Sequence, residues 1–228
     1  MADVKLLGSR SSPFVNRVQI ALNSKSVNHV FLEEKFGSKS DILLQSNPVH
    51  KKIPVLLHGD KPICESLIIV EYIDQVWSSS PSILPSDPFD CAIARFWAAY
   101  VDDKLPSSMK QLRTAQRDDE RLAAIEEMVG AMVLMEDAFV KCSKGKGFFG
   151  GDGIGYLDMA LGSYLGWLRM VEKTVNVKLL DETKTPSLVG WAERFCSHDA
   201  VKDVIPGIDE LMEVVAMHKA MAQAQSPN

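Results

Sequence analysis

Between Ser78 and Pro88 the chain carries five serines and three prolines with no periodic apolar pattern. That is the composition of a linker, and it separates two parts whose patterns belong to different fold classes. Ahead of it lie short apolar runs spaced by turn residues: Val4 to Leu7, Val30 to Glu33, Val55 to Leu57 and Pro62 to Cys64. Phe14, Val18, Ala21 and Leu22 recur at helical spacing after the first run, Asp41 to Ser46 is a short helical segment, and Ser66 to Trp77 a longer one. His58-Gly59-Asp60-Lys61 is a hairpin turn between two strands. The order β-α-β-α-β-β-α results, an α+β unit.

Behind the linker the runs are long and helical: Ala92 to Val101, Leu122 to Val140, Tyr156 to Val171, Ser187 to Ser197 and Ile208 to Ala222. The expected division is 1–78 for the α+β domain, 79–88 for the linker and 89–228 for an all-helical domain. Met128, Met132 and Met135 share one helical face and are expected in its core. Pro106 is expected to interrupt the helix that starts near Ala92. Gly145-Lys146-Gly147-Phe148-Phe149-Gly150 has the letters of a dinucleotide fingerprint, but a helix and not a strand precedes it, so a loop is expected. Downstream, Asp158 is placed as the N3 acid of a helix capped at Gly155, with Ile154 and Met159 as its hydrophobic staple.

Composition narrows the partners. A net charge of −5 disfavours nucleic acid, which calls for a basic face. No run of about 18 apolar residues suggests a membrane span. The start of the sequence shows neither a basic stretch nor the apolar segment of a secretory signal, so a cytoplasmic location is expected. Cys64, Cys91, Cys142 and Cys196 are scattered, without the spacing of a disulfide scaffold or a zinc site, and no metal is expected. A small-molecule ligand is the remaining class.

Three segments suit such a ligand. Ser12-Pro13 stands at a strand-to-helix junction, where serine fits N-cap and proline N1. Ile53-Pro54 opens a strand; a cis bond there would turn the Ile53 backbone toward an extended peptide-like ligand. Glu65-Ser66 begins the next helix, offering backbone N–H groups and a hydroxyl to a carboxylate and a carboxylate to an ammonium. Each alone is equally an ordinary cap or edge proline. Together, with Lys39 and Lys52 nearby, they make one site.

Ser-Pro-Phe, Asn-Pro-Val-His-Lys-Lys-Ile-Pro-Val-Leu, Glu-Ser, Glu-Tyr-Ile-Asp, Leu-Pro-Ser-Asp-Pro, Ala-Arg-Phe-Trp and Phe-Phe-Gly-Gly-Asp, in this order from Val4 to about Pro206, resemble a plant tau-class glutathione transferase. The resemblance implies a thioredoxin-like N-terminal domain, an all-α helical-bundle C-terminal domain, and conjugation of the glutathione thiolate to electrophilic, mostly hydrophobic acceptors in detoxification and stress response. It implies Ser12 as the hydroxyl that stabilises the thiolate. Glu65 and Ser66 would hold the γ-glutamyl group, Lys39 and Lys52 the glycine carboxylate, and Ile53 before cis-Pro54 the main chain. Glutathione is implied as co-substrate, and a homodimer as the assembly. Serine rather than cysteine at position 12 points to conjugation or hydroperoxide reduction, since a hydroxyl cannot run thiol-disulfide exchange.

For the acceptor pocket the resemblance implies Phe14, Trp167 and Val214 as apolar wall, with Lys110 and Arg113 on the helix beginning near Ala92. Arg10 stands where family members commonly carry an aromatic residue. Lys110, Arg113 and Arg117 are expected on one helical face that Arg10 approaches across the cleft, favouring acceptors with a carboxylate or sulfate. The rival reading is a non-catalytic carrier of apolar or anionic molecules in the same cleft.

Overall fold

The structure is a computed structural model that describes residues 3–35, 37–79 and 81–224; residues 1–2, 36, 80 and 225–228 of the expected domains and linker lie outside these. The N-terminal part follows the expected order: β1 (Val4–Gly8), α1 (Pro13–Ser24), β2 (Val30–Glu33), α2 (Asp41–Ser46), β3 (Val55–His58), β4 (Lys61–Cys64) and α3 (Ser66–Val76). The sheet runs β2-β1-β3-β4, with β1 parallel to β2 and antiparallel to β3, as a thioredoxin-like domain requires. Alternation along the strands decides which layer each side chain joins. Leu6 pairs with Leu56 and faces the core of α1 and α3, while Leu7 pairs with Val55 and packs on Leu43 of α2. The β3–β4 hairpin closes through Gly59-Asp60, and Gly59 takes the positive φ of 63° that such a two-residue turn demands. Pro62 sits in β4, an edge strand, where its missing N–H costs no ladder bond in the sheet interior.

The remaining part is mostly helical: α4 (Pro88–Thr114), α5 (Asp118–Ser143), α6 (Tyr156–Gly162), α7 (Leu165–Val175), α8 (Pro186–Ser197) and α9 (Ile208–Ala224). Met128, Met132 and Met135 are buried in its core, and 145–150 is a loop entered from a helix, both as expected. Three expectations change. Helix α4 runs through Pro106 without stopping; in the turn beside the proline, the Ser107 and Ser108 hydroxyls donate to the carbonyls of Asp103 and Lys104. Arg117 does not continue the face of Lys110 and Arg113, because α4 ends at Thr114 and Arg117 is the N-cap residue of α5, paired with Asp119 and Glu120. The segment from Tyr156 to Val171 is two helices. The Ala160 carbonyl, which a continuing helix would offer to Tyr164 N–H, accepts instead from Arg17 Nη2 at 2.9 Å and from Ser163 Oγ at 3.1 Å. Tyr164 N–H turns to Leu161 and the helix restarts.

Helix α6 begins on a closed cap. Asp158 is fully buried and accepts from the N–H groups of Phe149, Gly150 and Gly155 and from the Trp191 indole at 2.7–2.9 Å. Gly150 and Gly155 pass so closely that a Cβ on either would lie 2.7–2.8 Å from the other's backbone.

Residues 81–84, between α3 and α4, are pinned rather than slack. Asp74 of α3 accepts from Ile83 N–H, Leu84 N–H and Ser82 Oγ, and pairs with Lys25 at 2.8 Å. Lys25 also donates to the Pro81 carbonyl. Burial pushes the Asp74 carboxyl up, but Lys25 and the two N–H groups outweigh it and hold the group below its ordinary value. Asp87 then caps α4 by accepting from Phe89 and Asp90 N–H, with Pro88 at N1.

Candidate functional site

Three chain segments meet in a cleft of about 150 Å³ lined by Phe14, Lys52, Ile53, Pro54, Glu65 and Ser66. The Ile53-Pro54 bond is cis, and Ile53 lies outside the paired residues of β3. Ahead of it, buried Asn47 shapes the turn: its side chain accepts from His50 N–H and donates to the Lys52 carbonyl at 2.9 Å, fixing the backbone that presents Lys52. Glu65 precedes α3 with φ of 71°, a conformation rarely adopted by a side-chain-bearing residue, and it makes no capping bond. Its exposed carboxylate therefore points to no partner within α3; His50 Nε2 stands 3.9 Å away. Ser66, at the first position of α3, is buried.

Ser12 occupies the N-cap position of α1 with Pro13 behind it, as its sequence position suggested, yet its side chain makes no capping bond. Its backbone does the local work: the N–H donates to Ser9 and the carbonyl accepts from Val15 and Asn16. The hydroxyl is left without a hydrogen-bond partner among the described residues, two positions ahead of Phe14 in the cleft wall. Lys39 is exposed beside Ser40, the N-cap of α2, and does not line the cleft.

The other residues singled out from the sequence are more dispersed. Trp167 of α7 donates its indole N–H to the Ser11 carbonyl at 2.8 Å, so the helical part grips the loop that carries Ser12. Val214 is half-buried on α9, on the face shared with buried Leu211 and with Met221, whose sulfur reaches the loop after β2 near Gly37. Lys110 and Arg113 are exposed on α4, eight and eleven residues beyond Asp102 and hence on its stripe, and form no ion pair among the described residues. Arg10 does not extend toward them; its guanidinium lies over the Phe31 ring of β2, 5.9 Å from the centroid.

Sequence reasoning missed Arg17. It is fully buried in α1, pairs with both Asp102 oxygens of α4, donates to Ser66 Oγ at 3.3 Å and to Ser163 Oγ at 3.2 Å, and lies over the Phe14 and Tyr164 rings. One guanidinium thus ties α1, the start of α3, α4 and α6 around the back of the cleft. An arginine on the apolar face of a helix was the available signal, since a charge there demands a partner.

Among the described residues no group of side chains could hold a metal ion, and no helix is long and apolar enough to cross a membrane. The chain matches the family model "Glutathione S-transferase, N-terminal domain" over residues 2–75. It is 61% identical over 212 residues to glutathione S-transferase U18 of Arabidopsis thaliana, covering 92% of this chain and 93% of that one. The crystal structure of a tau-class glutathione S-transferase from mango superposes with a TM-score of 0.91 at 60% identity, over 94% of this chain and 97% of that one. Rice GST1, solved in complex with glutathione, gives 0.86 at 34% identity, over 96% and 98%. With this similarity carried across both the sheet and the helical part, the chain belongs to the tau class of the glutathione S-transferases.

Proposed function

We propose that the protein conjugates glutathione to electrophilic small molecules, with Ser12 donating its hydroxyl to the glutathione thiolate. The observation that carries this is the uncommitted Ser12 hydroxyl at the mouth of a helix N-terminus, beside a cleft lined by Lys52, Ile53, Glu65 and Ser66. Glutathione supplies the complements: its ammonium to Glu65, its γ-glutamyl carboxylate to Ser66 and the start of α3, its peptide to the Ile53 backbone, its glycine carboxylate to Lys52, with Lys39 outside the lining as a longer-range positive charge.

The energetics close without a general base. A free thiol of pKa about 8.5 is about 3% thiolate at pH 7, and lowering it by about 2 units requires about 2.7 kcal/mol. One charge-assisted hydrogen bond supplies about 1.5–3 kcal/mol and a helix N-terminus up to about 2. Cysteine at position 12 should exchange conjugation for thiol transfer, with a glutathionylated intermediate visible by mass spectrometry.

Phe14, Trp167 and Val214 supply the apolar wall for the acceptor, with Lys110 and Arg113 toward its open end and Arg10 on the β2 side. The division at 79–88 separates the glutathione-binding from the acceptor-binding domain, and the protein works in the cytoplasm. A homodimer accounts for exposed Val49, Ile68 and Phe96, which are 80%, 60% and 59% exposed; light scattering at about 25 kDa would count against it. Assay of recombinant protein with glutathione and a chloronitrobenzene acceptor tests the reaction. A folded protein that binds glutathione without turnover overturns it.

A further inference from the structure

A second cavity lies where the linker, the start of α4, the end of α5 and the start of α6 converge. It measures about 340 Å³, and none of its lining residues lines the glutathione cleft. That volume is in the range of small-molecule pockets. Its walls include Ile83, Leu84, Ile93, Phe149 and Leu157. The charges at its margin are already matched within the protein: Lys144 to Asp90 at 2.6 Å and Lys146 to Asp152 at 3.0 Å. An anionic guest would find these lysines already shared with Asp90 and Asp152. Burial and the nearby Asp90 push the Cys142 thiol up, so this lining group is neutral too.

One polar group in the lining is unspent. Ser143, the last residue of α5, is only 2% exposed, and its hydroxyl makes no hydrogen bond among the described residues. Serines in helices commonly donate back to a carbonyl one turn earlier, as Ser108 and Ser197 do here. Its oxygen is not sealed off as those of Ser24 and Tyr164 are, so an acceptor entering the cavity can reach it.

We propose that this cavity is a second binding site, for a neutral, largely apolar molecule of one or two fused rings bearing a hydrogen-bond acceptor for Ser143. Occupancy is independent of the glutathione cleft, because the two share no lining residue. The guest makes no covalent bond.

The neutral naphthalene ketone dye prodan is the probe, with S-hexylglutathione present at saturation to fill the cleft. A saturable, blue-shifted signal should persist at about one site per chain. Ser143→Ala should weaken it by about 3–10-fold, the loss of one net hydrogen bond. Ile93→Trp, which fills the cavity, should abolish it while conjugation activity stays as in the parent protein. Should that variant fail to fold, Ala94→Leu, a smaller filler of the same wall, should weaken binding in its place. The sulfonated dye 1-anilinonaphthalene-8-sulfonate should bind at least about tenfold more weakly than prodan under the same conditions, because its anion finds only paired cations. Loss of all prodan signal when S-hexylglutathione is added, retention of full binding in the filled variant, or preference for the sulfonate would overturn the proposal.

Discussion

The starts of α6 and α1 use similar sequence signals and end in opposite states. Each helix follows a loop, with a small residue, Gly155 or Ser12, at the N-cap position. At α6 the buried Asp158 carboxylate gathers four N–H donors from the preceding loop, the N-cap residue and Trp191, and the Ile83 carbonyl takes the first helical N–H, that of Tyr156. At α1 the Ser12 side chain caps nothing, and its hydroxyl is left over. A helix N-terminus that is sealed by its own chain serves folding; one that is left open is available to an external anion.

The largest effect expected from this contrast is on stability at α6. Asp158→Ala leaves four N–H donors without their acceptor and should destabilise the protein by at least about 4 kcal/mol. For a chain of this size that corresponds to a fall in melting temperature of about 10 °C or more, read by thermal unfolding. Asp158→Asn should do nearly as much harm, since its amide presents a donor to groups that are themselves donors. A loss below about 1 kcal/mol would mean that the cap is not sealed as described.

Next in size is the converse at α1. Ser12→Ala should lower conjugation by about 10²-fold through a bond that strengthens as sulfur becomes anionic. Because no capping bond is lost, its stability should stay within about 0.5 kcal/mol of the parent. A variant that lost about 1 kcal/mol or more while remaining active would make Ser12 an ordinary cap and erase the difference between the two helices.

A smaller effect tests how α1 is held. Trp167→Phe keeps the ring but removes the N–H that grips the Ser11 carbonyl, and should lower kcat/KM several-fold with a stability change of about 1 kcal/mol. Unchanged kinetics would show that the loop is set without that contact.

The remaining prediction concerns a third carboxylate. Asp74 collects N–H groups as Asp158 does, but beside a cation. Its pKa is lower in the folded than in the unfolded chain, so its contribution is present above about pH 4 and is lost as pH falls through the folded value. Asp74→Asn should therefore flatten the acid limb of the stability profile below about pH 4 and lower the plateau above it.

Much of this was legible in the sequence because the determinants are local. Alternation around Leu6-Leu7, the Gly59-Asp60 turn and the Gly155–Asp158 box each specify structure within a few residues. The continuity of α4 through Pro106 and the break at Ser163 were not legible. The first runs against the general cost of a proline inside a helix, and the second depends on Arg17, more than 140 residues away in sequence, taking a backbone carbonyl. In the candidate site, the segments around Ser12, Ile53-Pro54 and Glu65-Ser66 stood out because proline and serine at element boundaries carry a physical meaning. The placement of Arg10 over Phe31 did not, because nothing in the local sequence says which way a long exposed side chain folds.

The most direct test of the open helix terminus is the ionisation of bound glutathione, followed by ultraviolet titration of the thiolate in the parent protein and in Ser12→Ala. The account predicts a bound thiol about 2 units below the free value of about 8.5 in the parent, rising most of the way back in the variant. An unchanged titration in Ser12→Ala, with the shift abolished instead by Ser11→Ala, would contradict it.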